Sequence, residues 1–224
     1  MVEARVQDPR KNLLERLDKL YTAVVSDILD QLGYREQVAA ARIRPLSPQD
    51  RLVGFASTVH VEPVSKLPAR REDYYKGELA AVEQLQPGDV MMVSTINNCF
   101  WGELLSTAAH VRGARGIVLD GYTRDAQSII DMAFPAFVVG IHCADALGRV
   151  DVVDTGSTIE VGDVRVNPED LVIADYDGVV VIPREVADRV VEDAEDKIRG
   201  ENLVRTKLAE GMPVSEAFRK YGVL

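Results

Sequence analysis

Residues 103–140 read ELLSTAAHVRGARGIVLDGYTRDAQSIIDMAFPAFVVG, and their pattern decides the fold class. Short apolar strands alternate here with helical segments, and Gly113 ends the first helix. This alternation is typical of α/β proteins, in which helices cover a sheet. The predicted elements are a helix at Glu103–Arg112, a buried strand at Gly116–Asp120, a short helix from about Asp125 to Ala133 and a strand at Ala136–Gly140.

The segments before this stretch extend the same pattern. Apolar residues recur at helical spacing from Leu13 to Leu32, and Gly33 ends the run. Because Thr22 or Ser26 could cap a second helix, this run is either one helix or two. Strands are predicted at Leu52–Val61 and at Val90–Ser94, the latter after the turn Pro87-Gly88-Asp89.

The segments after it are rich in strands until a long helix closes the chain. Gly162-Asp163 and Asp177-Gly178 are hairpin signals, and a helix is predicted from about Arg184 to Glu210. The predicted strands are Val150–Val153, Thr158–Val161, Val164–Val166, Leu171–Ala174 and Val179–Ile182. The whole pattern predicts a layered α/β fold with a mixed sheet and a β-rich second layer. A length of 224 residues favours a single domain over residues 1–224.

Composition and charge exclude several classes of protein. Hydrophobic residues make up 46% of the chain and charged residues 28%, as in globular proteins. The net charge of −10 argues against a nucleic-acid partner, and the absence of a long apolar run argues against a membrane partner. Met1-Val2-Glu3-Ala4-Arg5 has no signal-peptide core, and two cysteines suit a reducing compartment. We therefore expect a cytoplasmic protein.

The start of the helix at Glu103 is a candidate anion-binding site. Gly102 lies where the chain enters this helix, so the amides of Gly102–Leu105 include its unpaired first-turn donors. These donors and the helix dipole attract anions. Many helices begin in this way without binding a ligand. This feature alone therefore does not identify a binding site.

Arg124 and Asp125 supply a second candidate, because they follow a buried strand. Ligands of α/β proteins collect at the carboxyl ends of the strands. Arginine binds a carboxylate through two nitrogens, and aspartate is an oxygen ligand for Mg²⁺. From spacing alone, a simpler interpretation also fits: Asp125 caps the next helix and Arg124 forms a surface ion pair.

The long C-terminal helix carries charges within its apolar stripe. Glu201 and Arg205 share that stripe with Ala194, Ile198 and Leu208. The pair could be a plain ion pair of residues four apart. Alternatively, this face could meet a neighbouring subunit and deliver Glu201 to its active site.

Taken together, these segments resemble the RraA-like family, and the similarity extends in order over nearly the whole chain. That family contains 4-hydroxy-4-methyl-2-oxoglutarate (4-carboxy-4-hydroxy-2-oxoadipate) aldolases, the regulator of ribonuclease E activity, and members misnamed demethylmenaquinone methyltransferases. The matching segments are Val24–Asp27, Val53–Ala56, Pro87–Val90, Trp101–Leu105, Gly113, Gly116, Asp120–Asp125 and Asp175–Pro183.

The resemblance implies a fold, an assembly and an activity. The fold would be a single-domain layered α/β/β sandwich of the swivelling β/β/α type, with the C-terminal helix (about 184–210) at a subunit interface. The assembly would be a homotrimer or a dimer of trimers with active sites between subunits. The activity would be that of a class II pyruvate aldolase, dependent on Mg²⁺ or Mn²⁺, that cleaves 4-hydroxy-2-oxo acids and decarboxylates oxaloacetate.

The resemblance also implies residue roles. Asp125 would hold the cation, mostly through water, and Arg124 would bind the pyruvyl carboxylate. The amides of Gly102, Glu103, Leu104 and Leu105 would help hold the substrate oxygens. Glu103 would orient water on the cation, and Glu201 from the neighbour's helix would complete the site, with Glu195 as the other choice.

This chain departs from the family's aldolase pattern at Ser128, three residues after Asp125, where an acidic residue is usual. The departure leaves the choice of 2-oxo acid open. Asn167–Asp170 also replaces the family's usual turn. The competing interpretation is a non-catalytic protein that binds and regulates a ribonuclease. The retained Arg124–Asp125 pair favours catalysis, and the lack of a glycine-rich nucleotide loop argues against a methyltransferase.

Overall fold

A nine-stranded mixed sheet forms the centre of the computed structural model, which describes residues 8–222. A separate two-stranded hairpin lies against it. The strands are β1 (Arg44–Pro45), β2 (Leu52–Pro63), β3 (Asp89–Val93), β4 (Cys99–Trp101), β5 (Gly116–Thr123), β6 (Ala136–Ile141), β7 (Val150–Thr155), β8 (Ile159–Val161), β9 (Val164–Val166), β10 (Leu171–Asp175) and β11 (Gly178–Ile182).

Parallel strands occupy the middle of this sheet. The strand order is β1-β6-β5-β3-β2-β10-β11, with β4 beside β5 and β7 beside β2. The pairs β2–β3, β3–β5, β5–β6 and β4–β5 are parallel, whereas β1, β7 and β10 pair in antiparallel fashion with their neighbours. Because parallel strands end at the same edge, the segments that follow β4, β5 and β6 come together there.

Helices cover one face of the sheet. They are α1 (Pro9–Leu17), α2 (Thr22–Gln31), α3 (Lys76–Gln84), α4 (Glu103–Val111), α5 (Ala126–Asp131), α6 (Ala187–Ala209) and α7 (Val214–Tyr221), with short 3-10 turns at Arg71–Asp73 and Arg184–Val186. Strand residues such as Phe55 and Ile173 pack in one core with α1, α2 and α6. Others such as Met91 and Ile117 pack in a second core with α3, α4 and α5.

The hairpin β8–β9 covers the other face. Val161, Val164 and Val166 pack against the alternate strand residues, among them Met92 and Val118. Gly162 and Asp163 form its turn with φ angles of 56° and 66°, as a two-residue hairpin requires. Helices, sheet and hairpin thus form three layers, which confirms the predicted α/β/β fold.

The structure corrects some local predictions. The run Leu13–Leu32 is two helices, but neither Thr22 nor Ser26 is a cap: Tyr21 holds that position, and the Thr22 hydroxyl donates to Asp175 Oδ1 at 2.6 Å. Of the five C-terminal strands, β7, β10 and β11 join the main sheet, so only β8 and β9 form the second β layer. Four elements were not predicted from the sequence, namely α3, α7, β1 and β4.

Other predictions concern the chain as a whole. Within residues 8–222, no helix combines the length and the apolar character that crossing a bilayer requires. The segment Met1–Arg5, on which the absence of a signal peptide was inferred, lies outside the described residues. The assignment of residues 1–224 to one domain stays a prediction.

Candidate functional site

Two strand-to-helix junctions lie side by side at the carboxyl edge of the sheet. Strand β4 passes through Gly102 into α4, and β5 passes through Arg124 and Asp125 into α5. The strands are parallel, with Trp101 opposite Thr123, and the Arg124 amide donates to the Trp101 carbonyl at 2.9 Å. The pairing of two short strands therefore brings the two sequence-predicted motifs together.

Gly102 packs closely against Asp125 of the other junction. A Cβ atom on Gly102 would lie 2.8 Å from Asp125 Oδ2, so a side chain there would displace the carboxylate. The Glu103 amide donates to the same oxygen at 3.3 Å. The first turn of α4 thus holds the Asp125 carboxylate in place.

The simple capping interpretation of Asp125 does not fit this geometry. Asp125 occupies the N-cap position of α5, yet its side chain makes no capping hydrogen bond to that helix. Its backbone is left-handed, with φ of 55°, a conformation that aspartate and asparagine tolerate better than most residues. The carboxylate points to α4 instead, and its side chain is 49% exposed, so it is accessible to a ligand.

Arg124 is paired inside the cleft. Its Nη1 lies 3.3 Å from Asp145 Oδ1, and its Nε lies 3.8 Å from Asp125 Oδ2. Two carboxylates therefore fix the guanidinium at the cleft. A guanidinium has five N–H donors, so donors remain for a ligand carboxylate.

An ion pair between buried Asp120 and exposed Arg42 anchors β5. Asp120 accepts two hydrogen bonds of 2.8 Å from Arg42, another from the Thr95 hydroxyl and one of 3.1 Å from the Gly162 amide. Burial raises the pKa of Asp120, but these donors outweigh it and hold the pKa below its usual value. The network fixes the strand that carries Arg124 against the hairpin β8–β9.

The junctions open into a cleft of about 240 Å³, which suits a small metabolite. Apolar side chains such as Phe100, Trp101 and Leu79 form much of its lining. Trp101 is fully buried, and its indole N–H donates to the Ser106 hydroxyl at 2.7 Å. Ser106 in turn donates to the Gly102 carbonyl at 3.0 Å, which couples the apolar wall to the junction.

Three polar residues that sequence reasoning missed also line the cleft: Tyr75, Glu78 and Asp145. The Tyr75 hydroxyl donates to Asp145 Oδ2 at 2.6 Å. Asp145 follows the parallel strand β6, as Arg124 follows β5, so its place after an apolar strand was a usable signal. Tyr75 and Glu78 belong to the start of α3, a helix that was not predicted from the sequence.

The environment shifts the pKa values of all three. Burial, aided by Asp145 and Asp151, raises the pKa of Glu78 to about 7, with Arg124 opposing. The bond to Asp145 and burial raise the pKa of Tyr75 to about 12. Burial alone would raise the pKa of Asp145, but Tyr75, the Leu147 amide and Arg124 hold it below its usual value.

The donor set at Asp125 is compatible with a hydrated divalent cation. Within residues 8–222, no group of three or more His, Cys, Asp or Glu side chains forms a metal cage. Mg²⁺ is commonly held by one or two carboxylates, with water and substrate oxygens filling the remaining positions. The half-exposed Asp125 carboxylate beside Arg124 fits that mode of binding.

The predicted residues of α4 lie at the mouth of the cleft. Leu104 and Leu105 line it, and Leu104 is 78% exposed. Their amides belong to the first turn and so have no acceptor within the helix. The Glu103 carboxylate accepts a hydrogen bond of 2.8 Å from the Thr107 hydroxyl, so its amide rather than its side chain contacts Asp125.

Glu201 and Glu195 are engaged within their own chain, away from this cleft. Glu201 accepts a hydrogen bond from the Tyr21 hydroxyl and lies 3.9 Å from Lys197 Nζ, so its ionic partner is Lys197 and not Arg205. Glu195 accepts two bonds from Arg16, of 3.0 and 2.8 Å. That either residue acts in the active site of a neighbouring subunit stays a prediction.

Comparison with known proteins gives a family match. The family model described as RraA-like, Aldolase/RraA, matches residues 22–181. This range runs from α2 into β11 and contains both strand-to-helix junctions.

Individual relatives agree with this match. Over 179 residues the chain is 31% identical to the "Putative 4-hydroxy-4-methyl-2-oxoglutarate aldolase" of Halalkalibacterium halodurans, covering 79% of each protein. It is 27% identical over 217 residues to protein DlpA of Legionella pneumophila, covering 96% of this chain but 34% of DlpA, so it spans about a third of that relative. The crystal structure of Streptomyces coelicolor RraAS2, described as an unusual member of the RNase ES inhibitor RraA protein family, has a TM-score of 0.79 at 27% identity and covers 89% of this chain and 100% of its own.

Proposed function

The chain belongs to the Aldolase/RraA family, and on this basis we propose that its cleft is the active site of a divalent-metal-dependent pyruvate aldolase. The substrate is a 4-hydroxy-2-oxo acid. Loss of the C4 hydroxyl proton and cleavage of the C3–C4 bond give a carbonyl compound and the enolate of pyruvate, which is then protonated at C3. Decarboxylation of oxaloacetate passes through the same enolate and is a second expected activity.

One observation carries the proposal: Arg124 and Asp125 lie against the first turn of α4, where Gly102 leaves no room for a side chain. This arrangement supports the proposal because a guanidinium, a carboxylate and the first-turn amides of α4 lie within one small cleft. The substrate has the matching groups, namely a carboxylate, a 2-oxo oxygen and a developing negative charge.

Different residues of the cleft have different roles in the proposed reaction. Arg124 binds the carboxylate of the 2-oxo acid, since its planar group matches two carboxylate oxygens. The amides of Leu104 and Leu105 donate to the oxygen on which charge develops, an effect that is strong because the donors are preset. Asp125 would hold the cation, Mg²⁺ or Mn²⁺, which when bound acts as a Lewis acid toward the enolate. Phe100 and Trp101 limit the access of water.

Pyruvate itself offers the cleanest test, because exchange of its C3 protons for deuterium reports the enolate without any leaving group. We expect NMR to show protein-dependent exchange with Mg²⁺ or Mn²⁺, abolished by EDTA, and oxaloacetate decarboxylation with the same dependence. Asp125→Asn should lower both rates on the order of 100-fold or more, since it removes the charge at the metal position.

The matched control is Asp131→Asn, which removes an exposed carboxylate from the same helix. Asparagine suits the left-handed backbone at position 125, so folding of the Asp125 variant should be preserved. Equal rates in wild type and Asp125→Asn, or no exchange with either metal, would contradict the proposal.

The alternative is a non-catalytic protein that binds a ribonuclease, as the description of RraAS2 suggests for that relative. The chain's net charge of −10 would suit docking to a basic partner. This alternative predicts no enolate exchange, together with capture of a ribonuclease by the purified protein and a lower rate of RNA cleavage.

A further inference from the structure

Tyr75, Glu78 and Asp145 together form what we call the acidic wall of the cleft. Tyr75 donates to one oxygen of Asp145, and Arg124 pairs with the other. Glu78 lines the same cleft and is 5% exposed. The acidic wall lies next to Arg124, so a 2-oxo acid whose carboxylate is bound by Arg124 would lie beside it.

Charge in this cleft is unbalanced toward the negative. Among the described residues that line it, Arg124 is the one cation, whereas Glu78, Asp125 and Asp145 are carboxyl groups. Two of these carboxylates already contact Arg124. With Glu78 ionised, Arg124 and a divalent cation at Asp125 would only balance the three carboxylates of the cleft, so the first carboxylate of a 2-oxo acid already makes the net charge negative. A second ligand carboxylate near the acidic wall would meet repulsion without a counter-ion.

Glu78 offers a vacant hydrogen-bonding position in the same place. Within residues 8–222, its Oε1 is one of two buried side-chain oxygens without a partner. Buried polar atoms without partners are rare in proteins because they lose hydrogen bonds to water. A ligand hydroxyl that reached the Glu78 carboxyl group could donate a hydrogen bond to it, whereas a ligand carboxylate has no proton to donate to an ionised Glu78.

We propose that the acidic wall selects 2-oxo acids that carry a single carboxylate, with a hydroxyl or alkyl group in the distal half of the molecule. The inference rests on the proposed function, because it assigns the distal half of the same cleft. It differs from the substrate in the name of the Halalkalibacterium halodurans relative, since 4-hydroxy-4-methyl-2-oxoglutarate is a dicarboxylate.

Binding tests this selectivity without requiring turnover. The single tryptophan of the chain, Trp101, lines the cleft, so its fluorescence can report occupancy. The matched probes are 2-oxopentanoate and 2-oxoglutarate, which differ only in a methyl or a carboxylate at C5. With Mg²⁺ at pH 8, where Glu78 is largely ionised, we expect roughly tenfold tighter binding of 2-oxopentanoate.

Turnover tests the same selectivity with 4-hydroxy-2-oxopentanoate and 4-hydroxy-2-oxoglutarate, which again differ only at C5. The ratio of their kcat/KM values should favour the monocarboxylate by about tenfold. Glu78→Gln should lower both the binding ratio and the kcat/KM ratio at least about threefold, because it removes one negative charge. Glu83→Gln, at an exposed position of the same helix, should leave both ratios unchanged.

The outcomes separate this inference from the proposed function. Deuterium exchange into pyruvate together with equal or tighter binding of 2-oxoglutarate would overturn the selectivity and leave the aldolase proposal intact. Tighter binding of 2-oxopentanoate without any exchange would support the selectivity and overturn the aldolase proposal. An unchanged binding ratio in Glu78→Gln would overturn the role of Glu78.

Discussion

Buried acidic residues in this protein differ in whether their oxygens have hydrogen-bond partners. Asp89 and Asp170 accept backbone hydrogen bonds of 2.8 to 3.0 Å, from Gln86 for the first and from Asn167 and Arg184 for the second. These carboxylates hold turns together. Glu78 is as deeply buried, yet one of its oxygens has no partner within the described residues. A destabilising group of this kind is expected at a functional site more than in a structural core.

The raised pKa of Glu78 predicts a pH-dependent stability. Its pKa is about 7 in the folded protein against 4.5 for the ordinary group, so between these values the folded state holds more protons than the unfolded state. Stability therefore falls as pH rises from about 4.5 to about 7. Relative to Glu78→Gln, the wild-type free energy of unfolding should fall by on the order of 3 kcal/mol over this range.

Urea unfolding at pH 4.5, 6 and 8 would measure this difference. Glu83→Gln is the control, because it removes a charge from an exposed position of the same helix. Parallel pH profiles for wild type and Glu78→Gln would show that Glu78 titrates normally, whatever the catalytic activity of the protein.

The junction between β4 and α4 acts as one element that positions Asp125. Gly102 has φ of −158°, an extended conformation open to any residue, so glycine is needed there for space and not for backbone freedom. Gly102→Ala would push the Asp125 carboxylate, because the added Cβ would lie 2.8 Å from its oxygen. We expect pyruvate exchange to fall on the order of 100-fold, the scale of loss when a reacting group moves by about 1 Å.

The stability of this variant should change by no more than about 1 kcal/mol, since alanine fits an extended backbone and restricts the unfolded chain. Gly140→Ala is the matched control: the added Cβ meets no atom closer than 3.4 Å. Thermal unfolding of both variants, run beside the exchange assay, separates displacement of Asp125 from loss of fold. Full exchange activity in Gly102→Ala would show that the contact with Asp125 has no role.

Sequence signals were strongest where local chemistry dictates local structure. The turn Gly162-Asp163 and the parallel strands could be predicted, because turn residues between two strands and short apolar runs are each typical of few other local structures. Strand β4 has three residues, and α3 follows Tyr75 in a left-handed conformation with no side-chain cap, so neither left a readable signal. The position of Arg124 and Asp125 after a buried strand could therefore be predicted. The position of Tyr75 and Glu78 in the cleft could not, because it depends on how the fold packs α3.

At the scale of the whole molecule, several large apolar side chains are exposed. Leu104 and Val111 on α4 are 78% and 81% exposed, and Ile141 at the end of β6 is 63% exposed. Exposed apolar residues mark subunit interfaces where they form a contiguous patch. The expectation of a homotrimer or a dimer of trimers stays a prediction, and with it the transfer of Glu201 to a neighbouring cleft.

Mixing two inactive variants would decide where Glu201 acts. If it acts in a neighbour's site, Asp125→Asn and Glu201→Gln should each abolish pyruvate exchange alone. Co-refolded in equal amounts, they should regain about a quarter of wild-type activity, because a site is intact when a subunit that has Asp125 meets a neighbour that has Glu201.

If Glu201 only pairs with Tyr21 and Lys197, the Glu201 variant should keep its exchange activity and lose stability by about 1 kcal/mol or less. The control is Glu192→Gln, which removes an exposed carboxylate from the same helix as Glu201 and should keep full exchange activity by itself.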